Sequence, residues 1–177
     1  YMEFIRINSD KDNYADELVM LYLEAFPETQ RHTENDFRKL LGAEERFHCN
    51  AVLMNKELVG FFHYWLFDEF VFLEHIAIEP PLRGHKLGEK VILLARETTN
   101  LPLVLEVEKA DESEWGARRI EFYQRLGFQI LPNEYAQPPY RKDGVYIPLH
   151  MMSDKLDFAV ENFEKIKNTI YQAVYKV

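Results

Sequence analysis

The chain has 177 residues, of which 47% are hydrophobic and 14% aromatic, and it carries a formal net charge of -9 at pH 7. This length and apolar content predict one folded domain and exclude a disordered chain. The acidic charge argues against nucleic acid as a partner, because phosphate backbones recruit basic surfaces. A cationic ligand would suit it better, although many acidic proteins carry such a charge only for solubility.

The single cysteine and the hydropathy pattern predict where the protein resides. Cys49 lies in the apolar run 47–54, where a small buried side chain is expected, and one cysteine forms neither a disulfide framework nor a zinc–cysteine cluster. No apolar run approaches the about 18 residues of a membrane span, and the first residues lack a secretion-signal pattern. We therefore expect a cytoplasmic protein without membrane attachment. No spacing of His, Asp and Glu predicts a metal site.

The first half of the chain predicts two helices followed by an antiparallel group of strands. The first helix begins with Asp12 or Asn13 as its cap. Thr33 starts a shorter helix, with Asp36 in the capping-box position. A polar turn over residues 55–57 joins two strands as a hairpin. The predicted order is a strand at 2–8, the two helices, and strands at 47–54, 58–67 and 69–78.

The second half predicts a strand–helix–strand crossover and then a second helix. Residues 103–107 are apolar almost without interruption, which is typical of a strand covered on both faces. The helical crossover from Ile78 predicts that the two strands are parallel, and Gly127 ends the later helix as a left-handed cap. The predicted order is a helix at 87–99, a strand at 103–107, a helix at 114–126, and strands at 128–131 and 145–150 around a Pro- and Tyr-rich loop at 132–144.

The tail, residues 152–177, has an apolar seam whose members are spaced alternately three and four apart. This pattern predicts a single amphipathic helix. The helix packs either on its own domain or on a partner, which would make the protein a homodimer, and the seam alone does not decide between them. The seam consists of Leu156, Ala159, Phe163, Ile166, Ile170, Ala173 and Val177.

The turn from Arg83 to Gly88 stands between an apolar strand and a helix that begins near Leu87. The helix directs its first unpaired N–H groups and its positive dipole end at the turn. A strand, turn and helix of this kind form a ready site for phosphate or pyrophosphate. Backbone N–H groups of the turn would surround the anion, and Arg83 and Lys86 would add positive charge.

Two motifs give this turn a more specific interpretation. The run Ile76-Ala77-Ile78-Glu79-Pro80 precedes Arg83-Gly84-His85-Lys86-Leu87-Gly88, and Phe122-Tyr123-Gln124-Arg125-Leu126-Gly127-Phe128 follows later. With the order of elements, they resemble the GCN5-related N-acetyltransferase (GNAT) family over residues 2–151. The resemblance implies an α/β fold with a mixed, twisted sheet of about seven strands flanked by helices, to which the C-terminal helix is added. It also implies acetyl-CoA as the cofactor and CoA as the product, with an amine attacking the thioester directly.

The resemblance implies roles for individual residues. Ile76, Ala77 and Ile78 would bind the cofactor, and a free backbone N–H at Ile76 or Ile78 would polarise the carbonyl. Tyr123 would protonate the departing thiolate. The residues of the turn that would hold the pyrophosphate are Arg83, Gly84, His85, Lys86, Leu87 and Gly88.

Two residues depart from the family pattern. Lys86 stands where the family usually has the middle glycine of the loop, and Gly116 stands where some members carry an Asn near the cofactor. Glycine permits positive φ and close approach of the backbone, whereas lysine gives up some of that freedom and brings a cation beside the phosphate.

The base that removes the proton from the attacking ammonium is expected to be a carboxylate or a water that it holds. The candidates are Glu74, Glu106 and Glu108. Glu74 shares a strand face with Ile76; it is either buried and functional or solvated at an edge. Glu106 lies near the end of its strand where open α/β sheets bind ligands, and recognition of a cationic acceptor is its alternative role. His63 and His75 are expected to be hydrogen-bonded structural histidines.

The alternative to an enzyme is a catalytically silent acyl-CoA-binding module that regulates a partner, with the tail as its partner surface. Lys86 and Gly116 keep this alternative open, whereas Tyr123 and a carboxylate on the Glu74 face favour the enzyme. Small-molecule and peptide amines are both acceptors of the family. The segments expected to face the acceptor are 21–41 and 132–144, and neither identifies a substrate.

Overall fold

The computed structural model describes residues 2–79 and 86–177. Residues 80–85 lie outside the described part, and with them the predicted cofactor contacts of Arg83, Gly84 and His85. The chain forms two compact units, one comprising residues 1–68 and 73–99 and the other residues 69–72 and 100–177. None of the described helices combines the length and apolar content needed to span a membrane.

The first unit contains a group of strands, and along the sequence two helices separate the first strand from the second. The strands follow the order β1-β2-β3-β4. In chain order the elements are β1 (Met2–Arg6), α1 (Ala15–Ala25), a 3₁₀ turn (Glu28–Gln30), α2 (Glu34–Ala43), β2 (Phe47–Met54), β3 (Glu57–Leu66), β4 (Val71–Ile78, of which residues 71 and 72 belong to the second unit) and α3 (Leu87–Thr99).

The hairpin between β2 and β3 is confirmed, with a shorter turn than predicted. Asn55 and Lys56 both have positive φ, 52° and 68°, which is the pattern of a two-residue type I′ turn matched to the twist of the strands. The strands are antiparallel, and their register shifts between Val52 and Leu53. β1 pairs antiparallel with the other edge of β2.

Gly60 allows β4 to lie close to β3 at the run predicted to bind the cofactor. A Cβ at Gly60 would be 2.6 Å from the carbonyl oxygen of Ala77 and 2.8 Å from the Ile78 side chain. The Glu79 amide donates to the Val59 carbonyl at 2.8 Å. A side chain at position 60 would therefore push β4 away where it leads into the turn.

The helix starts are partly as predicted. Thr33 caps α2 by accepting a hydrogen bond from the Asp36 amide at 3.0 Å. The predicted cap of α1 at Asp12 or Asn13 is wrong, because α1 begins at Ala15 after Tyr14, whose φ is 71°. The Asp12 carboxylate instead accepts the Asn8 amide at 2.7 Å and closes the preceding turn.

The core of the first unit is aromatic. Tyr22 of α1 and Phe37 of α2 are fully buried and stacked, with ring centroids 3.9 Å apart. Trp65 of β3 is also buried, and so is the Cys49 side chain, as predicted. Burial raises the pKa of the Cys49 thiol.

The second unit is arranged around β8, which pairs antiparallel with β5, β6 and β7. The short strand β7 lies inside the segment predicted to be a loop, and with it the described residues hold eight strands rather than seven. Gly127 has φ 92° and ends α4, as predicted. In chain order the elements are β5 (Leu103–Val107), α4 (Glu114–Arg125), β6 (Gln129–Ile130), β7 (Tyr135–Gln137) and β8 (Ile147–Ser153).

The tail follows β8, and the prediction of a single helix for it is wrong. It forms α5 (Leu156–Glu161), α6 (Phe163–Ile170) and a π-helical turn (Tyr171–Tyr175). The break lies at Asn162, which has φ -106° and ψ 19°. The Phe158 carbonyl accepts both the side-chain amide of Asn162 at 2.9 Å and its backbone amide at 3.0 Å. The inner seam is buried at Ala159, Phe163, Ile166, Ile170 and Ala173. The homodimer and the domain boundary at residue 152 stay predictions.

Replacement of Ile170, which is 0% exposed, by alanine is expected to lower the free energy of unfolding by about 2–5 kcal/mol, because it leaves a cavity in a packed seam. Urea denaturation measures the change. Val177→Ala at a 55% exposed position is the matched control and is expected to change stability by less than about 0.5 kcal/mol. Equal stability of the two variants would contradict the packing of the tail.

Candidate functional site

Of the turn predicted to bind an anion, the structure describes Lys86 and the start of α3. α3 begins at Leu87, as predicted, and Lys86 precedes it with φ 60°. This is the left-handed region that glycine adopts without strain and that costs lysine about 1 kcal/mol. Lys86 therefore has a backbone conformation that is open to glycine, the residue it replaces in the resembled motif. The first amides of α3 have no intrahelical acceptor, so Leu87 and Gly88 lie where a helix binds anions.

The Glu74 carboxylate is enclosed in the first unit. The sequence left open whether Glu74 is buried or solvated at an edge, and the buried placement is correct. Its side chain is 0% exposed. The Trp65 indole N–H donates to Oε1 at 2.8 Å, and Nε2 of His63 lies 3.3 Å from the same oxygen. Nε2 of His32 lies 2.8 Å from Oε2. We call these residues, together with His75, the Glu74 cluster.

The surroundings of Glu74 favour its ionised form. Burial alone raises the pKa of the carboxyl, because a charge loses its hydration. The charges and hydrogen bonds of His32 and His63 outweigh that effect and hold the pKa of Glu74 well below its usual range. The cluster therefore keeps a buried anion at neutral pH.

His63 and His75 are hydrogen-bonded to each other. Nδ1 of His75 lies 3.0 Å from Nε2 of His63, and Nε2 of His75 lies 3.0 Å from the Gln30 carbonyl oxygen. Burial lowers the pKa of His75 to about 3 and also lowers the pKa of His63. A neutral His75 must carry its proton on Nε2 to donate to Gln30, so its Nδ1 accepts from His63.

His32 is the member of the cluster that sequence reasoning missed. It lies between the 3₁₀ turn and α2, and its side chain is 10% exposed. Its amide donates to the Tyr22 hydroxyl at 2.8 Å, and Arg31 donates to the carbonyls of Phe26 and His32 at 2.9 and 3.1 Å. No motif marks this loop; the only signal is its position between two predicted helices in the segment expected to face the acceptor.

Glu106 lies in the second unit and is held by neutral donors. Its Oε1 accepts from the Gln137 amide at 2.9 Å and from the Tyr175 hydroxyl at 2.6 Å, and Oε2 accepts from the Tyr135 hydroxyl. Sequence reasoning missed Tyr175, because the tail was expected to present only an apolar seam. Three elements, β5, β7 and the π-helical turn, therefore meet at this half-buried carboxylate.

Tyr123 lies in the last turn of α4. Its carbonyl accepts the amides of Leu126 and Phe128, both at 3.0 Å, and its ring meets that of Phe128 edge-on at 5.5 Å. Burial raises the pKa of the phenol, so it is protonated at neutral pH. Within residues 2–79 and 86–177 its hydroxyl has no hydrogen-bond partner.

Gly116, the second departure from the family pattern, has a packing explanation. A Cβ there would lie 2.7 Å from the Lys109 carbonyl oxygen and 3.1 Å from that of Glu108. The Gly116 amide donates to the Ser113 hydroxyl, which caps α4 and itself donates to the Glu108 carboxylate at 2.8 Å. Glu108 thus fixes the start of α4.

Comparison with known proteins places this geometry in context. Residues 14–128 match the family model described as "Acetyltransferase (GNAT) family". A solved structure from Bacteroides thetaiotaomicron, assigned to the GNAT family, is 32% identical, with 99% of each chain covered and a TM-score of 0.91. An aminoglycoside 6'-N-acetyltransferase solved with coenzyme A is 16% identical, with 85% of this chain and 95% of that chain covered, and shares the fold at a TM-score of 0.62.

Among curated proteins, YjbC of Bacillus subtilis (strain 168) is 38% identical over 64 residues. The match covers 36% of this chain and 33% of YjbC, so the chain matches about a third of that relative's length.

The lowered pKa of His75 predicts a loss of stability in mild acid. Between its ordinary pKa of 6.5 and about 3, the unfolded chain binds a proton that the folded chain does not, so stability falls as the pH falls. One such histidine contributes a slope of up to about 1.4 kcal/mol per pH unit. His75→Gln is therefore expected to reduce the slope of the free energy of unfolding against pH between pH 6.5 and 5. That window lies above the pH range in which protonation of the Glu74 carboxyl changes stability.

Urea denaturation at pH 7, 6 and 5 measures this slope. His150→Gln, outside the Glu74 cluster, is the control and is expected to keep the wild-type slope. A wild-type slope in His75→Gln would contradict the burial of a neutral imidazole at position 75.

Proposed function

The chain belongs to the GNAT family of acetyltransferases, and on that premise we propose that it transfers the acetyl group of acetyl-CoA to an amine. Its fold is the mixed α/β fold of that family, a multistranded mixed sheet flanked by helices. The observation that carries the proposal is Lys86, which takes a left-handed conformation open to glycine directly before α3, at the position of a glycine in the family's loop. The same fold has been solved with coenzyme A bound in an aminoglycoside 6'-N-acetyltransferase.

Acetyl-CoA would be held at the end of β4 and the start of α3. Backbone groups of Ile76, Ala77 and Ile78 would bind the acyl arm. Leu87 and Gly88, in the first turn of α3, would present backbone amides to the pyrophosphate, and Lys86 would add a cation beside them. Arg83, Gly84 and His85 complete the proposed loop.

The reaction itself needs an unprotonated amine and a protonated leaving group. The amine nitrogen bonds to the carbonyl carbon, the carbon–sulfur bond breaks, and the thiolate takes a proton. We assign that proton to the hydroxyl of Tyr123, because burial raises its pKa and no described residue engages it.

The two enclosed carboxylates receive separate roles. Glu74 is assigned to removal of the ammonium proton; since its side chain is closed off, it acts through a neighbour. Glu106, surrounded by phenols and an amide, is assigned to recognition of a positively charged acceptor, a small-molecule or peptide amine. The net charge of -9 favours such acceptors.

A catalytically silent acyl-CoA-binding module is less well supported. That alternative depended on Lys86 and Gly116. The left-handed φ of Lys86 and the close fit of Gly116 against two carbonyls support a structural reason for each residue. We also propose a reducing, cytoplasmic location, which the single buried cysteine suits.

Acetyl-CoA is expected to raise the melting temperature of the protein, because a ligand that binds only the folded chain stabilises it by about 2.7 kcal/mol at 100 times its Kd. Thermal unfolding with and without acetyl-CoA measures this. Lys86→Gly keeps the backbone conformation but removes a cation, so a smaller shift is expected, whereas Lys11→Ala at an exposed position is expected to match the wild type. No shift at saturating acetyl-CoA or CoA would contradict the proposed function.

Tyr123→Phe is expected to lower kcat about 10²-fold or more, because it removes the general acid. The Kd of acetyl-CoA is expected to change less than about twofold. Steady-state kinetics and calorimetry measure the two quantities. Tyr146→Phe, an exposed phenol, serves as the matched control. Unchanged turnover in Tyr123→Phe would remove this residue from the mechanism.

A further inference from the structure

We infer that His63, Glu74 and His75 form a binding site for one divalent transition-metal ion, such as Zn²⁺. The inference goes beyond the proposed function, because binding of an ion requires neither acetyl-CoA nor an amine. The spacing of His, Asp and Glu along the chain predicted no such site. It could not do so, because the ligands are divided between two strands: His63 lies on β3, and Glu74 and His75 lie on β4.

The side chains of these three residues converge within the Glu74 cluster. One ligand atom of each lies within 4.8 Å of the other two. Nε2 of His63 is 3.0 Å from Nδ1 of His75 and 3.3 Å from Oε1 of Glu74, and Nδ1 of His75 is 3.9 Å from Oε2 of Glu74. Atoms bound at about 2.0–2.2 Å to one tetrahedral ion lie about 3.3–3.6 Å apart. The observed separations lie on both sides of that range, so small side-chain shifts would complete the site.

One proton of the cluster is shared by two acceptors. Nε2 of His75 donates to the Gln30 carbonyl, 3.0 Å away, so Nδ1 of the neutral ring carries a lone pair. The proton on Nε2 of His63 therefore faces both Nδ1 of His75 at 3.0 Å and the Glu74 carboxylate at 3.3 Å. A cation among the three groups would attract all of their lone pairs at once.

The contacts around the ligands are of the kind that orients side chains at metal centres. A histidine that binds a metal through one ring nitrogen usually donates the N–H of the other to a carbonyl or a carboxylate. His75 makes this contact with Gln30. The ligating carboxylate is usually hydrogen-bonded in turn, and the Trp65 indole N–H donates to Oε1 of Glu74 at 2.8 Å.

Coordination by His63 requires its ring proton to move from Nε2 to Nδ1. Nδ1 is buried and has no hydrogen-bond partner in the part of the chain that the structure describes. The change of tautomer therefore leaves the bonds of Trp65 and Gln30 intact. It removes the hydrogen bond between His63 and His75, which the ion replaces with two coordinate bonds.

The donor set selects the class of ion. Two imidazole nitrogens and one carboxylate oxygen suit Zn²⁺ and other divalent ions of the first transition row, whereas Mg²⁺ and Ca²⁺ prefer oxygen ligands. Three protein ligands leave a further coordination position for water. The side chain of His75 is 8% exposed, so the site reaches the surface there, although His63 and Glu74 are closed off.

A bound ion would compete with the role proposed for Glu74. A carboxylate that coordinates a cation is a weaker base, because the positive charge favours its ionised form. The ion-free protein, prepared with EDTA, is therefore the form to which the proposed reaction and the pH slope predicted for His75 apply.

Calorimetric titration of the EDTA-treated, tag-free protein with Zn²⁺ tests the site. We expect one ion per chain and a higher melting temperature, because the ion binds the folded chain. His75→Gln is expected to raise the Kd of Zn²⁺ about 100-fold or more, since the loss of a ligand costs at least as much as the loss of an outer partner. His150→Gln, outside the cluster, is the matched control and is expected to keep the wild-type Kd. Mg²⁺ is expected to produce no thermal shift.

A second variant tests the outer contact. Trp65→Phe keeps a buried aromatic ring but removes the donor to Glu74, so it is expected to raise the Kd of Zn²⁺ about tenfold or more. X-ray absorption of the Zn²⁺-loaded wild type needs no variant. It is expected to show a shell of nitrogen and oxygen that includes two imidazoles and no sulfur.

Three results would overturn the inference. The first is the absence of Zn²⁺ binding in a protein that acetyl-CoA still stabilises, which would leave the proposed function intact. The second is an equal Kd in His75→Gln and His150→Gln, which would place the ion elsewhere on the acidic chain. The third is sulfur or fewer than two imidazoles around the ion. If circular dichroism shows that His75→Gln does not fold, the absorption spectrum of the wild type decides.

Discussion

The enclosed carboxylate of Glu74 constrains the first unit more than any other group. An ion removed from water costs several kcal/mol unless donors replace its hydration. Here the Trp65 indole donates to the carboxylate, and the imidazole nitrogens of His63 and His32 lie 3.3 and 2.8 Å from its oxygens. These residues lie on β3 and on the loop before α2, so the register of two strands and the path of that loop must be correct together. The close approach permitted by Gly60 serves the same requirement farther along β4.

The two carboxylates assigned to the proposed reaction have chemically different surroundings. Imidazoles, which can carry a proton, surround Glu74. The donors on Glu106 are the phenols of Tyr135 and Tyr175 and the amide of Gln137, which stay neutral around physiological pH. The first environment suits the movement of a proton and the second suits a fixed negative charge. This difference, rather than the position of either residue on its strand, supports their separate assignments.

Local sequence patterns predicted most of the helices and strands and the family. They did not predict features that depend on contacts between residues distant in the sequence. The cap at Thr33, the hairpin at residues 55–56 and the helix end at Gly127 depend on neighbouring residues, and each was found as predicted or within a residue. The cap of α1 was misplaced because the Asp12 carboxylate turned back to the Asn8 amide. The break at Asn162 falls inside a continuous apolar seam, so the spacing of apolar residues does not reveal it. His32 was missed because its partner Glu74 is distant in sequence and no spacing rule joins them.

The buried thiol of Cys49 makes the chain convenient for chemical labelling. Burial both closes the side chain to reagents and raises its pKa, so little of the reactive thiolate forms. Since no other cysteine is present, one introduced at an exposed site such as Trp115 or Val145 would react with a maleimide dye or a spin label on its own. Distances between such probes could be followed as ligands are added, with the native sulfur left in place.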